Sequence, residues 1–96
     1  MSTSNKQVYQ QKLQAQLDEW SADIDKLKAK ARQADADAQI DYNQEIETLK
    51  EYQAQANAKL SELKSASDDA WQDLKSGTEE AWKSLQTAIK SAADRF

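Results

Sequence analysis

A single stripe of apolar and small residues with helical spacing constrains this chain more than any other feature of its sequence. The stripe runs from Trp20 to Phe96 and covers 76 residues in 21 steps, or 3.62 residues per step. That spacing matches the period of an α-helix, so the stripe stays on one helical face. Because the chain contains no proline and one glycine, almost nothing inside it forbids helix. The sequence therefore predicts an all-α fold of long amphipathic helices.

The C-terminal part of the stripe repeats every eleven residues. Residues 68–89 read DDAWQDLKSGT and then EEAWKSLQTAI, with a leucine three residues after each tryptophan. Eleven residues make almost three whole turns, so Trp71 and Trp82 lie about 20° apart on one face. Gly77 lies within this repeat, where a glycine costs about 1 kcal/mol without ending the helix. The repeat is the strongest amphipathic signal in the chain.

Helix boundaries are weakly marked. The best internal capping signal is a cluster of serines and aspartates over residues 65–69, whose side-chain oxygens can accept from the free amides of a following turn. We therefore predict one helix over residues 5–66 and a second over 68–94, packed as a coiled coil or a helical hairpin. Two alternatives stay open: one unbroken helix, and a compact three-helix bundle with a further break near Asp35–Asp41.

Large apolar side chains are scarce in this chain. Leucine, isoleucine, valine and phenylalanine account for 14 of 96 residues, while alanine, glutamate, lysine, leucine and arginine account for 44. The second count is typical of coiled coils and long helices. A chain with so little apolar mass must bury its stripe against another helix, another chain or a lipid surface. We expect residues 1–96 to form a single helical domain that assembles as a homo-oligomer, with residues 1–4 disordered.

Charge and composition exclude several classes of function. The net charge is −4 and acidic and basic residues are interleaved, which disfavours nucleic acid as a partner. The chain has no cysteine and no histidine, so we predict no catalytic, cofactor-binding or metal-binding residues and no enzymatic activity. The N-terminal MSTSNKQ lacks the apolar core of a signal peptide, and no apolar run approaches a membrane span. We expect a cytoplasmic protein with no transmembrane segment.

Three stretches of the sequence resemble a known family. They are YQQKLQAQLDEWSADIDKLKAKA (9–31), YNQEIETLKEYQAQANAKLSELK (42–64) and DDAWQDLKSGTEEAWKSLQTAI (68–89). Together they resemble a family of small bacterial coiled-coil proteins, some labelled stress-response proteins, whose function is poorly defined. The resemblance implies a helical coiled-coil protein and carries no catalytic residues. The eleven-residue spacing is also similar to that of apolipoproteins and desiccation-associated helical proteins.

The sequence predicts a structural or interaction protein, linked to stress, that oligomerises through apolar helix faces and binds client proteins. The alternative is reversible binding of a lipid or granule surface by the C-terminal helix, as in phasins and apolipoproteins. The predicted interaction face consists of Trp20, Ile24, Leu27, Leu60, Leu63, Trp71, Leu74, Trp82, Leu85, Ile89 and Phe96.

Overall fold

The computed structural model describes residues 5–96, which form three α-helices and no strand. The helices are α1 (Asn5–Gln33), α2 (Ala36–Ser65) and α3 (Trp71–Arg95). They pack side by side in a bundle of 53 × 24 × 19 Å, with α1 and α3 parallel to each other and antiparallel to α2. The predicted all-α fold is confirmed. The predicted disorder of residues 1–4 lies outside the described residues.

The turn between α1 and α2 is centred on Asp35. The backbone of Asp35 is extended, with φ −68° and ψ 170°, and its side-chain oxygen accepts from the backbone N–H of Ala38 at 2.9 Å. This bond satisfies one of the amides that the first turn of a helix leaves free, which is why aspartate favours this position. The prediction of one continuous helix over residues 5–66 is therefore wrong. The three-helix alternative is confirmed.

The second turn lies where the sequence predicted a break. The backbone carbonyl of Ser67 accepts from the amides of Ala70 and Trp71, and the Ser67 hydroxyl also accepts from Ala70 at 3.2 Å. These bonds form a separate turn ahead of α3, so the helix begins at Trp71 rather than at the predicted residue 68. Once started, α3 continues through Gly77 to Arg95, as the periodicity predicted.

The core has two clusters, and all three helices contribute to each. The tryptophan cluster contains Leu13, Leu17, Ala56, Leu60, Leu63, Trp71, Trp82 and Leu85. The hinge cluster, near the α1–α2 turn, contains Ile24, Leu27, Ala31, Ile46, Leu49 and Ala92. The bundle therefore covers its apolar stripe with its own helices. Oligomerisation stays a prediction.

Candidate functional site

Two aromatic pairs close the boundary between α1 and α3. The rings of Tyr9 and Trp71 lie 5.8 Å apart between centroids, and those of Trp20 and Trp82 lie 6.4 Å apart. Both separations and both tilted geometries are typical of favourable aromatic contacts. We call these four residues the aromatic seam. It is the candidate functional site because it joins the two helices that no turn connects.

The register of the seam follows from a shared spacing. Tyr9 and Trp20 are eleven residues apart on α1, as Trp71 and Trp82 are on α3. Parallel helices with the same spacing present their aromatic rings at matching heights, so both pairs form at once. The sequence analysis noted the spacing on α3 alone. The same spacing in α1 is the signal that would have predicted the pairing.

The first pair of the seam has a charged neighbour on each side. The Lys75 ammonium lies 5.3 Å from the centre of the Tyr9 ring and 6.0 Å from that of Trp71, within cation–π range. The Tyr9 hydroxyl donates to a Glu79 carboxylate oxygen at 3.4 Å, and Lys75 lies 4.0 Å from the same oxygen. Burial, followed by the charge of Glu79 and this hydrogen bond, raises the pKa of Tyr9 to about 12. Burial and the neighbouring Glu79 carboxylate therefore keep the Tyr9 phenol neutral.

The second pair of the seam contains an unpartnered donor. Trp82 is buried, and within the described residues its indole Nε1 has no hydrogen-bond partner. A buried donor without an acceptor costs about 1–3 kcal/mol. Burial of the Trp82 indole N–H in the closed bundle therefore costs free energy. An environment that offers this N–H an acceptor would remove that cost.

An apolar groove continues the boundary between α1 and α3 beyond the seam. It has a volume of about 200 Å³, and its lining includes Ile24, Leu27, Leu49, Ile89 and Phe96. At its end the Phe96 ring stacks on Tyr42 of α2, with centroids 4.3 Å apart. Along the length of the bundle α1 and α3 approach each other less than either approaches α2.

The predicted interaction face lies in the interior. Seven of its members are buried: Ile24, Leu27, Leu60, Leu63, Trp71, Trp82 and Leu85. The other four are half-buried against the two clusters: Trp20, Leu74, Ile89 and Phe96. Large hydrophobic side chains that stay exposed in residues 5–96 are Val8 and Ile40. The closed bundle thus brings the predicted residues together and covers most of them with its own helices.

Within residues 5–96, no group of three or more acidic side chains is arranged to hold a metal ion. No helix in this range is long and apolar enough to cross a membrane.

Comparisons with known proteins do not extend this picture. No protein-family model, curated protein or solved structure matches the chain. The resemblance to small bacterial coiled-coil proteins therefore stays a prediction.

Proposed function

We propose that this protein is a non-enzymatic interaction protein that works by separating α1 from α3 and offering the uncovered apolar faces to a partner. The candidate partners are a second copy of the chain, an apolar segment of a client protein and a lipid surface. A role in stress belongs to this proposal and rests on the resemblance alone. A cytoplasmic location also belongs to it and rests on the lack of a signal-peptide core and of an apolar run in the sequence.

The observation that carries the proposal is the construction of the α1–α3 boundary. Side chains of the aromatic seam span a boundary at which the two helices approach each other least, and an apolar groove prolongs it. No turn joins α1 to α3, so this boundary can part while the α2–α3 turn stays intact. Elements with fewer buried contacts open at lower free energy than the rest of a fold.

A cross-link across the seam tests the proposal. Gln16 of α1 and Gln86 of α3 line the same surface depression beside Trp20 and Trp82, and the chain has no native cysteine. A Gln16→Cys/Gln86→Cys variant joined by a short bismaleimide cannot separate α1 from α3. The control is the same variant capped at each cysteine with a monofunctional maleimide.

The measurement is binding of an apolar fluorescent dye, followed over increasing temperature below the unfolding transition. We expect the capped protein to bind dye before it loses helical signal, because the seam parts first. The cross-linked protein should bind dye only when it unfolds. Equal dye binding by both proteins would reject separation of α1 from α3 as the source of exposed apolar surface.

A lipid surface is the second candidate, and the unpartnered indole of Trp82 favours it. At the boundary of a bilayer the apolar body of a tryptophan stays in an apolar layer while its N–H reaches water or headgroup oxygens. The charges of α3 balance, with four acidic and four basic residues, so a neutral surface suits this helix better than an anionic one.

Vesicles of phosphatidylcholine brominated in the acyl chains test the lipid candidate, since bromine quenches tryptophan fluorescence on contact. We expect quenching of the capped protein and none of the cross-linked protein. Absence of quenching in both would exclude a neutral lipid surface and leave protein partners as the proposed class.

A further inference from the structure

We propose that two copies of this chain exchange α1 and form an antiparallel dimer, in which α1 and α2 of each copy become one straight helix over residues 5–65. The proposal rests on the proposed separation of α1 from α3, and it requires α1 to leave α2 of its own chain as well. It names a second copy as the partner that covers the exposed faces. Each α1 then packs on the α2–α3 pair of the other copy and rebuilds the aromatic seam there. The straight helix is about 90 Å long at 1.5 Å per residue.

The connection between α1 and α2 has the features of a hinge that can straighten. Only Ala34 and Asp35 lie between the two helices, and neither is a glycine or a proline. No residue from 5 to 96 has a positive φ, so nothing fixes the bend through an unusual backbone conformation. Five of the ten residues in 29–38 are alanine, the best helix former. Rotation of ψ of Asp35 from 170° to the helical region is one change that straightening requires.

Straightening also restores backbone hydrogen bonds. In the bend the Ala34 amide bonds the Ala31 carbonyl three residues back at 3.2 Å, and the Ala38 amide uses the Asp35 side chain. In a continuous helix each amide of residues 34–38 donates to the carbonyl four residues earlier. The Asp35 cap is therefore the specific interaction that holds the hinge bent.

The apolar stripe keeps its helical phase across the hinge. Leu27, Ala31, Ala34, Ala38 and Tyr42 follow one another in steps of four, three, four and four residues. A permanent bend imposes no such phase, because the helices on its two sides are independent of each other. A straight helix does impose it, because the stripe must stay on one face. Ala34 and Ala38 are half-exposed in the bundle, and in the dimer they meet the same residues of the second copy.

The charges on the two sides of the hinge suit an antiparallel pair. Residues 26–34 contain four basic residues and no acidic one, whereas residues 35–47 contain five acidic residues and no basic one. Two straight helices that cross antiparallel at the hinge place the basic segment of one copy beside the acidic segment of the other. A parallel pair would place like charges together. Exchange of an identical element between copies is a low-cost route to dimers, because it reuses contacts already present in the monomer.

Two hinge substitutions with opposite expected effects test the proposal by sedimentation velocity over a concentration series. Asp35→Ala removes the cap and should tighten dimerisation about 25-fold, since each of two hinges loses an interaction that shifts its equilibrium about fivefold. Ala36→Pro should abolish the dimer. Proline fits the first position of α2, where the preceding Asp35 is already extended, but it cannot lie inside a straight helix. The double variant should be monomeric, with circular dichroism as the check on folding.

A second readout does not depend on the hinge variants. Bismaleimide cross-linking of the Gln16→Cys/Gln86→Cys protein joins one chain to itself in the bundle and two different chains in the exchanged dimer. Covalent dimers on a denaturing gel from the dimer fraction are expected. Intrachain products alone from the dimer fraction would contradict the proposed exchange of α1. Dimerisation that is unchanged by both Asp35→Ala and Ala36→Pro would also contradict it, as would a monomer at every concentration in all variants. A chain that stays monomeric yet binds dye only when not cross-linked would refute the exchange and retain the proposed function.

Discussion

At the scale of single residues, Tyr9 connects α1 to α3 through contacts of both its ring and its hydroxyl group. Its ring packs on Trp71 and under Lys75, and its hydroxyl donates to Glu79. The hydrogen bond to Glu79 requires the neutral phenol, because an ionised Tyr9 would face the Glu79 carboxylate across 3.4 Å. The residue therefore ties the stability of the bundle to its own protonation.

The raised pKa of Tyr9 predicts a loss of stability in alkaline solution. The folded chain holds this proton up to a pH of about 12, whereas the unfolded chain releases it near the ordinary value of 10.0. Because the folded pKa is the higher one, the stabilising contribution is complete below pH 10 and is lost as the pH rises from 10 to 12. We expect the free energy of unfolding to fall less steeply over this range in Tyr9→Phe than in the wild type.

Urea unfolding at pH 8 to 11.5 measures this difference. Tyr52→Phe is the matched control, since Tyr52 packs against the same core cluster and lacks a carboxylate partner among the contacts described above. Parallel stability profiles for the wild type and Tyr9→Phe would contradict the role given to the Glu79 contact.

Gly77 is a position at which a substitution can increase the stability of the fold. It lies inside α3 with ordinary helical geometry, and a Cβ added there would meet only the Lys59 ammonium, at 4.0 Å. We expect Gly77→Ala to raise the free energy of unfolding by about 0.5–1 kcal/mol, because alanine restricts the unfolded chain and favours helix.

Thermal or urea unfolding measures the effect of Gly77→Ala, and the opposite substitution at an exposed position of α2 provides the control. Ala58→Gly should lower the free energy of unfolding by about as much. A destabilised Gly77→Ala protein would show that α2 and α3 approach more closely at this point than described.

At the scale of the elements, Lys6 fastens the start of α1 to the end of α2. Its ammonium donates to the backbone carbonyls of Lys64 and Ala66, where the last carbonyls of α2 lack helical partners. A cation at a helix C-terminus contributes about 0.3–1 kcal/mol. We expect Lys6→Met to lower the free energy of unfolding by that amount, and the loss to shrink in high salt.

The control for Lys6 is Lys12→Met, which removes an exposed charge from the same helix. Urea unfolding at low and high salt should show little change for Lys12→Met. A Lys6→Met protein as stable as the wild type at low salt would show that the contact of Lys6 with the end of α2 does not stabilise the bundle.

Helix content was predictable from the sequence, whereas the first turn was predicted only as an alternative, near Asp35–Asp41. The 3.6-residue period and the absence of proline predict helix through residues 5–95 almost everywhere. The bend at Asp35 interrupts neither the stripe nor the run of helix formers, so local propensity favours a straight helix there. Tertiary packing decides for the bend, because it lets α1 cover α2 and α3 of its own chain. The second turn was predictable because Ser67 and its neighbours provide caps.

Three of the four residues of the aromatic seam were predicted from the sequence, and their arrangement was not. The apolar spacing identified Trp20, Trp71 and Trp82 as members of one face. Their partners depend on how the helices fold back, which the spacing on one helix does not specify. Tyr9 contacts Lys75 and Glu79, which follow it in the sequence by 66 and 70 positions. A local sequence pattern does not predict contacts over such separations.

At the scale of the whole molecule, one apolar stripe supports two arrangements. In the bundle the chain covers the stripe with its own α1, and the aromatic seam marks the place where that cover ends. In the proposed open state α1 leaves, and a second copy, a client segment or a lipid surface takes its place.

The distance between α1 and α3 within a single chain tests this central claim most directly. Nitroxide labels on the Gln16→Cys/Gln86→Cys protein, diluted with unlabelled protein, report this distance by pulsed electron paramagnetic resonance. In dilute solution we expect one short intrachain distance, on the scale of the 24 Å bundle width. A longer distance should appear at high concentration or with phosphatidylcholine vesicles. No short distance in dilute solution, or the same short distance in chains that have bound a partner, would contradict it.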